Sequence, residues 1–110
     1  MRIIKPSKVV FANEKVEKEF FELDDNDDIK KHIRKAIEEI RGNAFCGVQL
    51  PKRLIPKEYT QKYGIKNLWK YDLPDGWRLV YSITTPNKVE IISIILEWFD
   101  HPNYKRRFGY

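Results

Sequence analysis

The sequence predicts an α+β domain of element order β-α-α-β-β-β, a mostly antiparallel sheet with a helical hairpin packed on one face. Three observations lead there. Between residues 13 and 42 the apolar residues recur at helical spacings of three and four. Between residues 68 and 96 the period becomes strand-like and is broken by two turn sequences. The length of 110 residues fits one domain, residues 1–110, around a modest core.

Val9-Val10-Phe11 is a short β-prone run after Pro6 and makes the first strand. Asn13 is placed to cap a helix, and Val16, Phe20 and Leu23 follow on one face. The run Asp24-Asp25-Asn26-Asp27-Asp28 breaks that helix and puts negative charge at the N-terminus of the next. In the second helix Ile29, Ile33, Ala36, Ile37 and Ile40 form the apolar stripe. Lys30, Lys31, Arg34 and Lys35 line its outside, and Gly42 ends it.

Residues 43–66 read as irregular, with a short helix from Pro56 to Tyr63 opened by proline. Strands are expected at Leu68–Leu73, Trp77–Thr84 and Val89–Leu96, separated by turns at Pro74-Asp75-Gly76 and Pro86-Asn87. The apolar density of the last strand marks it as central and buried on both faces. The tail from Asp100 to Tyr110 is basic and aromatic, with at most one helical turn, and the sheet face opposite the hairpin is left to line a groove.

No apolar run approaches the roughly 20 residues of a membrane span, and the first residues lack the apolar centre of a signal peptide. The expected location is the cytoplasm. Cys46 is the single cysteine, which rules out an internal disulfide and a multi-thiolate metal site. Its neighbours Phe45, Gly47 and Val48 mark it as a small buried hydrophobe. No Gly-rich phosphate loop, metal-ligand cluster or Ser-His-Asp order is present, so neither cofactor nor metal is expected.

The net charge of +5 is unevenly spread. Residues 1–43 hold 10 Lys/Arg and 10 Asp/Glu, while residues 44–110 hold 11 and 6, so the second part carries the whole surplus. A basic half suits an anionic partner, either nucleic acid or an acidic protein segment, and equally an ordinary solvated surface.

Asn67-Leu68-Trp69-Lys70-Tyr71-Asp72-Leu73, a turn, and then Gly76-Trp77-Arg78-Leu79-Val80-Tyr81 resemble the strand–turn–strand signature of the RelE/ParE superfamily. The tail Asp100-His101-Pro102-Asn103-Tyr104, followed by Lys105-Arg106-Arg107-Phe108, is similar to the His-x-x-Tyr ending of its HigB-like and archaeal RelE-like branches. The motifs cover about residues 67–108, and the element order agrees over nearly the whole chain. The resemblance implies the toxin of a type II toxin–antitoxin pair: an endoribonuclease that cleaves mRNA on the ribosome without a metal. It also implies a cognate antitoxin as partner. A ParE-like inhibitor of gyrase, and a degenerate member that binds RNA or a partner without catalysis, are the alternatives.

Cutting RNA by its own 2′-hydroxyl needs a base, cations at the phosphate and an acid at the leaving oxygen. Arg78 matches the family's central arginine, and its guanidinium fork suits two phosphate oxygens. With the turn at Pro74-Asp75-Gly76, Asp72 faces Arg78 across the strands, where it holds or partly quenches the guanidinium. Lys70 matches a basic strand position of the family, and Asp72 stands where some members carry a second lysine. That departure throws weight onto His101 as the acid–base group. Asp100 is its sequence neighbour and a candidate influence on its charge. Tyr104 is read as stacking a base or donating to a phosphate, or else as packing the tail.

Arg53, Lys57, Lys66, Lys105, Arg106 and Arg107 are the candidate RNA-phosphate contacts. His32, among Lys30, Lys31 and Arg34, reads as surface, and Glu97 as a weaker candidate at the end of the last strand. Trp69, Tyr71, Trp77 and Tyr81 read as core.

Overall fold

The computed structural model describes residues 5–87 and 89–109. The first strand, β1 (Lys8–Phe11), leads into α1 (Glu14–Glu22), whose N-cap is Asn13 with its side chain accepting from the Val16 amide. Next comes α2 (Asp28–Gly42), with Asp27 as N-cap. Gly42 is its last residue, but Asn43 caps it in an extended conformation, its N–H donating to the Glu39 carbonyl.

A two-residue strand, β2 (Val48–Gln49), and a helix, α3 (Lys57–Tyr63), follow. Then come β3 (Trp69–Asp72), β4 (Arg78–Thr84), β5 (Ile92–Phe99) and α4 (His101–Phe108). Among the described residues these strands form one five-stranded sheet in the order β1-β5-β4-β3-β2. Only β1–β5 is parallel; the other pairings are antiparallel. The α+β class and the mostly antiparallel sheet are therefore as expected from the sequence.

The hairpin face is packed by Phe20, Ile33, Ala36, Ile40, Leu73, Leu79, Tyr81 and Ile95. Trp69, Tyr71 and Trp77 lie half-buried against this core, and Tyr81 is fully inside it. The Tyr81 hydroxyl donates to the Ala44 carbonyl at 2.7 Å and accepts from the Gly47 amide at 3.1 Å. A Cβ on Gly47 would lie 2.5 Å from the Lys70 carbonyl oxygen and 2.7 Å from the Tyr81 hydroxyl, so this close approach admits only glycine.

Several expectations need correction. The last strand runs from Ile92 to Phe99, shifted three residues toward the C-terminus from the expected span. The Asn87 side chain accepts from the amides of Val89 and Glu90 at 2.9 and 2.7 Å, which holds the turn through Glu90 and leaves Val89 92% exposed. β2 was not foreseen, because a strand of two residues between Gly47 and Pro51 carries no period. The tail is a two-turn helix rather than a single turn.

The second sheet face is not an open groove: α3 and α4 cover it. Leu50, Tyr59, Ile65, Leu68, Val80, Leu96, Phe99 and Tyr104 form a second core there. Lys30 is buried, not on the outside of α2. Its amine donates to the Leu23 carbonyl at 2.9 Å and to Asp25 at 2.8 Å, closing the C-terminal end of α1. Cys46 is exposed rather than buried, since the helical turn at Ala44–Cys46 turns it outward. Partial burial of its thiol and the nearby Glu39 carboxylate still push its pKa up.

No helix among the described residues is long and apolar enough to cross a membrane.

Candidate functional site

Lys70, Asp72 and Arg78 share the sheet face that α3 and α4 cover. Alternation along β3 sends Trp69 and Tyr71 into the hairpin core, so Lys70 and Asp72 emerge on the opposite side. Asp72 pairs with Arg78 across the strands, the register that the turn at residues 74–76 requires. That turn holds Asp75 at φ 61° and Gly76 at φ 81°, in the left-handed region that aspartate tolerates and glycine favours.

Asp72 is the hub. The Lys70 amine lies 3.0 Å and the Arg78 Nε 2.9 Å from the same oxygen, Oδ1. Both cations are largely covered, their side chains 22% and 20% exposed, whereas the carboxylate is 55% exposed. The Lys70 contact is a true hydrogen bond. The Arg78 contact is an ion pair by distance only: the Nε–H does not point at the carboxylate, and this buried nitrogen has no hydrogen bond among the described residues.

The Arg78 guanidinium carbon lies 5.6 Å from the centre of the Tyr104 ring, a cation–π contact. Tyr104 is itself buried against Phe99 and Phe108, so its packing role is real. His101 opens α4 one turn before Tyr104 and is exposed. Its Cβ stands 3.4 Å from where a side chain on Gly76 would begin, which sets it beside the β3–β4 turn. Lys70, Arg78 and Tyr104 are thus joined by contacts to one another or to Asp72, and His101 stands beside the β3–β4 turn. The Asp100 carboxylate caps α4, accepting from the Asn103 amide at 3.0 Å.

Of the phosphate-contact candidates, Arg53, Lys57, Lys66, Lys105 and Arg106 are exposed on α3, its flanking segments and α4. Arg107 differs. It pairs with Glu97 at 3.0 Å and with Glu58, and lies over the Tyr59 ring. Glu97 sits inside β5 rather than at its end, and also accepts from the Tyr59 hydroxyl. Burial first, and then the Glu97 carboxylate, push the Tyr59 phenol well above its usual range, so it stays a donor. This network removes Arg107 from the free cations. Sequence reasoning missed it because its members come from three elements far apart in the chain.

Sequence reasoning also read His32 as plain surface. It is half-buried, and lines a cavity of about 470 Å³ with Lys35, Tyr71, Asp72, Leu73 and Pro74. No period or motif signals this, because the cavity wall comes from α2 and the β3–β4 turn. Among the described residues, no group of three or more His, Cys, Asp or Glu is arranged to hold a metal ion.

Compared with known proteins, the chain matches no family model, no curated protein and no solved structure.

Proposed function

We propose that the chain is a RelE/ParE-like toxin that cleaves mRNA at the corner where β3, β4 and α4 meet. One observation carries the reading: Arg78 is held between a carboxylate on β3 and an aromatic ring on α4, with Lys70 on the same carboxylate. Two cations on one carboxylate, with His101 beside the adjoining turn, are the kinds of group that transesterification of RNA needs. The element order, two helices followed by an antiparallel meander whose last strand returns beside the first, supports the same reading.

In this reading a substrate phosphate sits against Lys70 and Arg78. The 2′-oxygen forms a bond to phosphorus as the bond to the 5′-oxygen breaks, leaving a 2′,3′-cyclic phosphate. The 2′-hydroxyl proton leaves to a base and the departing 5′-oxygen takes one from an acid; His101 serves one of these steps. Arg78 and Lys70 stabilise the charge that grows on the phosphate oxygens. The exposed cations Arg53, Lys57, Lys66, Lys105 and Arg106 hold flanking phosphates. The partners are ribosome-bound mRNA and an antitoxin protein. A second reading, a binding module without catalysis, is favoured by one feature: Asp72 already neutralises part of the charge on Lys70 and Arg78.

The test is cleavage of mRNA by the purified protein with translating ribosomes. Wild type is expected to leave 2′,3′-cyclic phosphate ends. Arg78→Ala and His101→Ala should each slow cleavage about 100-fold. Undiminished cleavage by the double variant would defeat the proposal, and binding without cleavage by wild type would favour the second reading.

A further inference from the structure

We infer that Asp72 occupies the phosphate seat of this corner in the free protein, and that a substrate phosphodiester displaces it from Lys70 and Arg78. The inference rests on the reading of the corner as an RNA site, and it assigns Asp72 the role of an internal competitor.

Three features lead there. The charge is unbalanced, because one carboxylate faces two cations and leaves a surplus positive charge. The exposure is inverted as well. The cations are mostly covered, whereas the carboxylate is the outermost member. Finally, the fit is imperfect. The Arg78 Nε–H is buried beside the carboxylate without a hydrogen bond, a donor that a better-placed acceptor would satisfy.

A phosphate matches this seat better than a carboxylate does. It offers tetrahedral oxygens to both an ammonium and a guanidinium, and Arg78 is already oriented by the Tyr104 ring and by its own bond to the Trp77 carbonyl.

The experiment measures binding of the full chain to a 2′-O-methyl RNA oligonucleotide, which cannot be cleaved, across a series of salt concentrations. Asp72→Asn is expected to bind roughly threefold to tenfold tighter, the size that two partly exposed ion pairs carry. Its salt dependence should keep the wild-type slope, because the same phosphate fills the seat in both proteins. In a Lys70→Gln/Arg78→Gln background the gain should vanish, which a merely structural carboxylate would not produce.

Asp72→Ser serves as a second variant, and circular dichroism reports folding of each. Equal or weaker binding by a folded variant, or failure of both variants to fold, overturns the inference. Tighter binding by Asp72→Asn in a protein that never cleaves RNA upholds the seat while the nuclease reading fails.

Discussion

The sheet face under α3 and α4 carries two charge clusters of opposite balance. At one, a single carboxylate, Asp72, faces Lys70 and Arg78. At the other, two carboxylates, Glu97 and Glu58, face Arg107, and the Tyr59 hydroxyl adds a further donor to Glu97. Fully buried Val80 stands between them, paired with Lys70 on one side and Glu97 on the other. The difference separates a structural ion pair from the candidate site. Where acids outnumber the cation and neighbours complete the hydrogen bonds, the arginine is used up. Where cations outnumber an exposed acid, positive charge remains for an outside anion.

This contrast can be broken in order of expected effect. Glu97→Gln should cost about 1–2 kcal/mol of stability, because a largely covered Arg107 loses its more covered counter-charge while the exposed Glu58 remains. The same variant should leave RNA affinity unchanged. Urea unfolding alongside oligonucleotide binding checks both, and a rise in affinity would place Arg107 among the RNA contacts after all.

Tyr59→Phe should cost about 1 kcal/mol, the worth of one hydrogen bond. It also carries a pH signature. The Tyr59 phenol is raised in the fold by burial and by Glu97, so its contribution is whole below the unfolded value near pH 10 and is lost as pH rises through the folded one. An alkaline melting series should therefore be flatter for Tyr59→Phe than for wild type, with the share of Tyr81, raised first by its burial, remaining. Identical slopes would remove Tyr59 from the network.

The smallest stability effect belongs to Asp72→Asn, within about 0.5 kcal/mol, since its carboxylate is half in solvent. A loss comparable to that of Glu97→Gln would make the two clusters alike and end the distinction.

Much of the fold was legible because its signals are periodic or local. The stripe Ile29, Ile33, Ile37, Ile40 defines α2, Asn13 caps α1, and Pro74-Asp75-Gly76 sets the register that brings Asp72 to Arg78. What escaped depends on distant partners. Lys30 turns inward because the end of α1 offers it carbonyls. Arg107 is held by Glu58, 49 residues away in sequence. The second core needs Tyr59 and Tyr104, from helices too short to show a stripe, and β5 slipped because Asn87 folds back on its own turn. For the site, the cations were visible in the sequence. Their sorting into spent and available ones was not, because it is decided by acids that only the fold brings near.

The most direct test of the central claim is inducible expression in a test bacterium, with growth and transcript 5′ ends followed together. Wild type should arrest growth and create new 5′ ends within translated regions, and Arg78→Ala/His101→Ala should do neither. Arrest with intact transcripts, or new 5′ ends that persist in the double variant, would contradict the account.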